Sequence, residues 1–459
     1  MASRAEQMAS GINFSNFGKA TDLKNRIWFT IGALIIFRLL SFVPLPGVDP
    51  VQQAALYQQS GSGGVLDIFN TFSGGSLERM SLIALGVMPY ITASIVVQLA
   101  SALSPTLAAI KKEGETGRQK LNQYTRYGTV GLTAVQGYFL AVGLESLVAQ
   151  TGIGAVVEPG MMFRIVATIS LIGGTMFLMW LGEQITSRGI GNGVSLIIMA
   201  GIVAQMPRLV ANLLEGGSTG SISGLIILTF AVMFVVLTLV ICYVERAQRR
   251  VLVNYPKRAT QNGMMQADRS HLPLKVNTAG VIPPIFASSL LLLPLTISQL
   301  TGNIQDDGSV YSEIMLFLNL HLAHGKPLYL LFYGAGIIFF CFFYTAVVFN
   351  PEETAENLKK ANGFIPGIRP GKNTQDYLDY VLTRITVLGS IYLAFVCLLP
   401  DYIMGASGQT QFFVLGGTSL LILVNVTVDT IAQIQGHLFA HQYGDLMKKA
   451  KLRGGKRKR

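Results

Sequence analysis

The residue types that usually carry catalysis are scarce in the apolar parts of this 459-residue chain. All five histidines lie outside the long apolar runs, and the sequence contains neither an HExxH nor a GxSxG motif. The three cysteines lie in or beside apolar runs without CxxC spacing, which argues for inert buried thiols rather than a metal site or a disulfide framework. We therefore expect no catalytic residue, no metal and no cofactor. The cysteines are Cys242, Cys341 and Cys397.

The glycine-rich stretch 189–193 resembles a phosphate-binding loop only weakly. No predicted strand precedes it and no lysine follows it, although a phosphate-binding loop needs both. A tight turn between two helices is the better interpretation.

Charged side chains inside apolar runs are the usual sign of ion or proton coupling. Here Arg38 alone lies well inside a run, and Glu183, Arg384 and Asp429 lie at the ends of others. Arg38 would cost about 2.5–3.5 kcal/mol at mid-membrane, so it must reach the interface or pair with another helix. A coupled transporter would carry several acidic residues at mid-depth. Their scarcity counts against a solute transporter, which remains the first alternative function.

β-Branched residues recur at helical spacing in two of the runs. Val87, Ile91 and Ile95 are spaced i, i+4, i+8, and Val194 and Ile198 are spaced i, i+4, so each set lies on one helix face. Contact with lipid or with another helix is the ordinary explanation for such faces.

The elements that must position these residues are membrane helices. The chain is 51% hydrophobic and 13% charged, with a mean hydropathy of +0.48, whereas soluble domains carry about 25% charged residues. The first run follows a polar start and has no cleavage site, so we interpret it as a retained span rather than a signal peptide. We predict an all-α membrane protein with ten spans. They cover residues 27–43, 81–103, 127–144, 165–182, 194–206, 222–244, 276–298, 328–349, 385–399 and 413–428.

Basic residues, which give the chain its net charge of +11, crowd the loops after even-numbered spans and the last segment of the chain. The positive-inside rule then places both termini in the cytoplasm. Ten spans divide into two halves of five, which forces the halves into opposite orientations. We expect a segment 1–26, a half 27–207, an external hinge 208–221, a half 222–431 and a basic tail 432–459.

Two short stretches fit neither a span nor an ordinary loop. Residues 65–72 are apolar but too short to cross about 30 Å of hydrocarbon, so they either lie at the interface or fold back between helices. Residues 365–371, I-P-G-I-R-P-G, cannot form a regular helix, and their two turns would hold Arg369 rigidly. A partner-docking role explains that stiffness better than topology alone.

The chain resembles the SecY family of protein-conducting channels along essentially its whole length. The matching motifs include F-S-G-G at 72–75, L-G-V-M-P-Y-I at 85–91, R-G-I-G-N-G at 188–193, H-L-P-L-K-V-N at 271–277 and P-G-I-R-P-G at 366–371.

The resemblance implies an hourglass channel between two inverted five-helix halves, which conducts unfolded chains and opens sideways into lipid. It implies a constriction ring, a plug helix near 63–75 and a lateral gate between spans 2, 3, 7 and 8. The ring would be Val87, Ile91, Val194, Ile198, Ile282 and Ile422. The plug would be Val65, Leu66, Asp67, Ile68, Phe69, Asn70, Thr71 and Phe72, and the gate would carry Gln98 and Asn277.

The resemblance also implies partners. The loops near 245–275 and 350–384 would dock the SecA motor ATPase and the ribosome, and SecE-like and SecG-like subunits would complete the complex in the bacterial plasma membrane. Signal sequences, unfolded polypeptides and membrane lipids would be its other partners. The docking residues would be Arg249, Arg250, Lys257, Arg258 and Arg369.

Two positions depart from the family pattern. Valine stands at 87 and 194, where isoleucine is common, so the ring should be slightly wider. Residues 259–267 carry no charge where basic residues are frequent, which weakens the expected ribosome contact there. A membrane-embedded enzyme is the second alternative function, but no predicted span pairs a nucleophile with a base.

The predicted topology can be tested by labelling from outside intact cells or spheroplasts. In a background without native cysteines, an impermeant maleimide should label Gly302→Cys and miss Gly371→Cys, because the loops that hold them lie on opposite sides. The reverse pattern would contradict cytoplasmic termini.

Overall fold

A computed structural model describes residues 21–59, 70–152, 154–220, 223–255, 259–260, 263–264, 269–300, 326–407 and 416–454. These residues are mostly helical. In chain order the helices are α1 Thr21–Leu40, α2 Pro50–Gln59, α3 Met88–Leu103, α4 Pro105–Lys112, α5 Glu115–Thr151, α6 Met161–Arg188, α7 Gly193–Ser218, α8 Gly224–Arg246, α9 Ile282–Leu300, α10 Pro327–Val348, α11 Pro351–Lys360, α12 Lys372–Ser407 and α13 Gly417–Gly454. Four strands lie between α8 and α9: β1 Gln248–Asn254, β2 Ala259–Thr260, β3 Gly263–Met264 and β4 Arg269–Lys275.

Six helices in the described part of the chain are long and apolar enough to cross a membrane: α6, α7, α8, α10, α12 and α13. A seventh would be counted if α3 and α4, which meet at a bend of 105°, form one broken span. The mostly helical membrane fold is as predicted, and the count of ten spans remains a prediction.

Local sequence explains where several helices begin. Asn192 accepts hydrogen bonds from the backbone N–H groups of Val194 and Ser195 through its side chain, and so caps α7. Asn350 caps α11 in the same way. Helix α11 also carries acidic residues in its first turn and lysines in its last, which complements the helix dipole.

Three predicted boundaries need correction. Residues 82–87 form turns ahead of α3, because Gly86 takes φ +57°, a conformation that side chains rarely adopt. The seventh predicted span begins six residues later than expected, at Ile282. The expected hinge at 208–221 is helical as far as Ser218, because α7 buries Leu209 and Gly216 and so continues beyond its internal Pro207.

The buried apolar residues separate into clusters that follow the two halves of the sequence. One cluster draws only on residues 45–171, and another draws on residues 230–424 together with Ile95. A third, which we call the shared cluster, contains residues of α1, α6 and α7 from the first half and of α9 and α13 from the second. The halves therefore have cores of their own and meet through an additional apolar contact.

The segment after α8 folds into an antiparallel ribbon that hydrophobic periodicity did not predict. β1 pairs with β4 from Gln248↔Lys275 to Asn254↔Arg269. Val251 and Val253 bury one side of this ribbon against Leu378 and Leu382 of α12. The ribbon, residues 364–368 and the start of α12 thus form one packed unit, which we call the loop body.

The loop body should depend on its small core. We expect Leu378→Ala, at a fully buried position, to destabilise it by about 2–5 kcal/mol, because the substitution removes buried methyl groups and leaves a cavity. Leu388→Ala, the same change at a 63% exposed site on the same helix, should have little effect. For both variants, thermal unfolding in detergent is measured by the temperature at which the loop body loses its protection from protease. Equal effects would contradict the packing described.

Candidate constriction and docking surface

The six residues of the expected constriction ring come from four helices or their ends. Val87 is the N-cap residue of α3 and Ile91 lies one turn later, with the Ile91 N–H bonded to the Val87 carbonyl at 3.1 Å. Val194 and Ile198 lie in the first two turns of α7. Ile282 is the first residue of α9, and Ile422 lies near the start of α13.

The structure brings five of these six residues into the shared cluster. Val87, Ile198 and Ile422 are buried there, with 4%, 5% and 2% of their surfaces exposed. Ile91 and Val194 pack against the same cluster and are partly buried. The sixth residue, Ile282, packs against the core of the second half, which Ile91 also contacts. The i, i+4 faces seen in the sequence therefore meet other helices, and lipid contact does not explain Val87 or Ile198.

The end of the expected plug is held by several polar contacts. Residues Val65 to Phe69 lie outside the described residues, whereas Asn70, Thr71 and Phe72 form a buried helical turn. Phe72 belongs to the shared cluster. The Asn70 carbonyl accepts hydrogen bonds from Gln205 Nε2 at 2.7 Å and from the Gly75 N–H at 2.8 Å.

Just after this turn, the backbone at Gly74 lies in close contact with the backbone of α7 at Gly201. A Cβ atom on Gly74 would lie 2.9 Å from the Gly201 Cα, and one on Gly201 would lie 3.1 Å from the Phe72 carbonyl oxygen. Gly74 also has φ +71°. Glycine is therefore required at both positions for this segment to pack on α7.

Two charged contacts secure the same region. Arg208 Nη1 bonds both carboxylate oxygens of Glu78, at 2.8 and 2.7 Å, and so joins the segment before α3 to α7. Arg38, whose partner the sequence left open, donates through Nη1 to the Gly74 carbonyl at 2.9 Å. Sequence reasoning did not identify Gly201, Gln205 or Arg208. The only signal was that Gly201 and Gln205 lie within the fifth predicted span and that Arg208 follows it.

Four helices meet where the lateral gate is expected. α9 packs against α3, α5 and α10, and α3 packs against α5. A cleft of about 300 Å³ lies among α3, α5 and α10, and its lining includes Gln98, Ser101, Asn122 and Tyr344.

The two expected gate residues do not bond to each other. Gln98 Nε2 donates to Ser94 Oγ on its own helix at 3.1 Å. Asn277 Nδ2 donates to Glu245 Oε1 at 2.6 Å, and the Asn277 amide also bonds both backbone groups of Gly280. Asn277 therefore fixes the turn that leads from the ribbon into α9.

Of the expected docking residues, Arg249 and Arg250 lie on the loop body, and Arg369 directly follows residues 364–368. Arg249 and Arg250 are exposed on β1, and Arg369 is exposed in the non-helical turn between α11 and α12, as its sequence predicts. Phe364 and Asn254 exchange two backbone hydrogen bonds at 2.9 and 3.0 Å, which attaches this turn to the ribbon. Thr374 Oγ1 donates to the Arg369 carbonyl at 3.0 Å. Lys257 and Arg258 lie outside the described residues.

Comparison with known proteins identifies the family of this chain. A sequence model of the SecY family matches residues 81–431. The protein translocase subunit SecY of Vibrio cholerae is 50% identical over 434 residues, covering 95% of this chain and 96% of the relative. The subunit of the same name from Escherichia coli K12 is 49% identical over 445 residues, covering 97% and 98%. That from Rickettsia conorii is 51% identical over 443 residues, covering 96% and 100%.

Solved structures with the same fold are more distant in sequence. A protein-conducting channel superposes with a TM-score of 0.63 at 16% identity, covering 90% of this chain and 92% of the other. Sec61 in the canine ribosome–channel complex superposes with a TM-score of 0.60 at 15% identity, with the same coverage. The resemblance inferred from the motifs is thus confirmed, and the chain belongs to the SecY family of protein translocase subunits.

Proposed function

We propose that this chain forms the pore through which unfolded polypeptides cross the membrane, and that the gap between its halves opens sideways to release membrane segments into lipid. One observation carries the proposal: branched apolar side chains at the ends of α3, α7 and α13 converge in a cluster that both halves share. The relatives of this chain are named protein translocase subunits, which supports the same conclusion.

The shared cluster is suited to seal a pore and also to let a polypeptide pass. An apolar constriction excludes ions because water inside it cannot complete its hydrogen bonds. The same side chains contact any sliding polypeptide without requiring specific hydrogen bonds. Val87 and Val194 in place of isoleucine make the collar slightly wider.

The plug, residues 63–75 in this proposal, closes the external side of the collar. Its last turn is anchored by Gln205 and Arg38, and Phe72 packs into the shared cluster. Plug and collar therefore share one apolar surface, so movement of the halves disturbs both together.

The lateral gate lies between α3 and α5 on one side and α9 and α10 on the other. Gln98 and Asn277 each satisfy their hydrogen bonds within their own side. Parting the helices therefore breaks no bond between these two residues. The cleft beside Gln98 offers a first contact for a signal sequence.

The loop body would receive the partners that feed the channel. A SecA-like motor and the ribosome are the proposed occupants, and Sec61 in the canine complex is a relative in fold that binds a ribosome. SecE-like and SecG-like subunits would cover apolar faces of the spans. We place the chain in the bacterial plasma membrane with both termini cytoplasmic, and we assign it no catalytic activity of its own.

Polar substitution of the collar tests the pore. We expect Ile91→Asn with Ile198→Asn to raise resting ion conductance in planar bilayers, because amide groups hydrate the constriction, and to relax the requirement for a good signal sequence, because the halves separate more easily. Val203→Asn, on the same helix at a 45% exposed site, is the matched control and should not leak. A well-inserted double variant that neither leaks nor accepts weak signals would remove these residues from the pore.

Motor-driven transport tests the function and the docking surface together. Proteoliposomes containing the channel complex should import a preprotein when supplied with motor ATPase and ATP, whereas a solute transporter would not. Arg369→Glu should lower the transport rate by at least about tenfold. The new carboxylate would face acidic groups of the motor, and like charges across an interface cost several kcal/mol, whereas about 1.4 kcal/mol already corresponds to a factor of ten. Lys372→Glu, a nearby reversal on an exposed residue, should keep most of the transport. Normal transport by Arg369→Glu would refute the docking role.

A further inference from the structure

Two arginines share one aromatic ring at the end of α1. The guanidinium carbons of Arg38 and Arg79 lie 4.8 and 4.3 Å from the centre of the Phe42 ring. Arg38 belongs to the last turn of α1, and Arg79 belongs to the turns before α3. Two like charges on one ring repel each other, and an anion near both would offset this repulsion.

Within the part of the chain that the structure describes, this pair uses only a few of its hydrogen-bond donors. Each guanidinium carries five N–H donors. Arg38 Nη1 donates to the Gly74 carbonyl at 2.9 Å and to Ser41 Oγ at 3.4 Å. Arg79 Nη1 is shielded from solvent and has no acceptor among the described residues. Buried donors are nearly always satisfied, so an unpaired one needs an explanation such as a bound ion.

Carboxylates of the described residues do not supply the missing charge. Their ion pairs involve other cations, as in Arg208 with Glu78 at 2.7 Å and Arg164 with Glu145 at 2.7 Å. Glu78 is adjacent to Arg79 in sequence, but both of its oxygens are bonded by Arg208. Within the described residues, the Arg38–Arg79 pair therefore carries two positive charges without an ion-paired carboxylate.

An exposed apolar stripe leads directly to this charge. Ile35, Leu39 and Phe42 are 55%, 64% and 55% exposed, and their i, i+4, i+7 spacing places them along one face of α1 and its extension. Because α1 overlaps the first predicted span, apolar side chains this exposed suit contact with acyl chains. The Phe42 ring lies where this stripe meets the two arginines.

We propose that Arg38 and Arg79 bind the phosphate of an anionic phospholipid headgroup, with the acyl chains lying along Leu39 and Ile35. Arginine matches phosphate because its planar fork donates two parallel hydrogen bonds. In the orientation proposed above, the lipid belongs to the outer leaflet. Because Arg38 also donates to the Gly74 carbonyl, the headgroup contacts the same arginine that anchors the end of the plug.

Tryptophan quenching by brominated lipid tests the site directly. The chain has two tryptophans, Trp28 and Trp180, so Phe42→Trp in a Trp28→Phe, Trp180→Phe background is a single reporter beside the arginines. The channel complex is placed in vesicles containing either dibrominated phosphatidylglycerol or dibrominated phosphatidylcholine. We expect preferential quenching by the phosphatidylglycerol, and about a fivefold loss of that preference in Arg79→Gln or Arg38→Gln.

Matched variants separate a headgroup site from a general effect of charge. Arg164→Gln removes one positive charge at the same end of the bundle, from an arginine already paired with Glu145, and should keep the preference. Arg79→Lys should retain part of it, because the charge remains but the fork is lost. Undiminished quenching by brominated phosphatidylcholine reports that each variant is still folded with the stripe in lipid.

Four results would overturn the proposal. Equal quenching by the two lipids in the parent protein would deny any headgroup preference, and an unchanged preference in Arg79→Gln would place the selectivity elsewhere. Loss of the preference in inorganic phosphate, but not in chloride of equal ionic strength, would assign the site to free phosphate. Quenching by neither lipid would mean that a protein subunit covers the stripe.

Discussion

The apolar contact between the two halves of this chain is the interaction on which its other features depend. A pore must be tight enough to exclude ions and yet able to part without breaking many directional bonds. Branched side chains such as Val87, Ile198 and Ile422 meet both requirements, because their attraction depends on area and not on geometry. Hydrogen-bonded residues in the same place would wet the constriction or lock it.

Directional contacts appear where a segment has to stay in register. At the end of the proposed plug, Gln205 and Arg38 bond to backbone carbonyls, and the Glu78–Arg208 pair ties the next turn to α7. Gly74 and Gly201 let the two backbones approach without an intervening side chain. This combination holds Asn70 to Gly75 against α7 and would position the proposed plug against an apolar collar. The proposed lipid headgroup would act at the same anchor, through Arg38.

The loop body follows a different principle because it stands outside the apolar spans. Its core is small, and the ribbon, the turn at 365–371 and the base of α12 stabilise one another through Val253, Ile365 and Leu378. Backbone bonds between Asn254 and Phe364 attach the turn that carries Arg369. A rigid cationic turn on a packed support can transmit force from a partner to α12, whereas a flexible loop could not.

The sequence by itself determined the class of protein, the approximate positions of most spans, the non-helical turn at Arg369 and, through its motifs, the family. Those features depend on local composition and spacing, which can be read without knowing which residues are in contact in the folded protein. Only the tertiary structure decided that the faces of Val87 and Ile198 meet other helices, that α7 continues past Pro207, and that Arg38 reaches Gly74. The spacing of Val87 and Ile91 is the same whether they face lipid or a pore, because both environments are apolar. Local sequence could not predict the ribbon or the Arg38–Arg79 pair either, since each joins residues at least fifteen positions apart through contacts that folding creates.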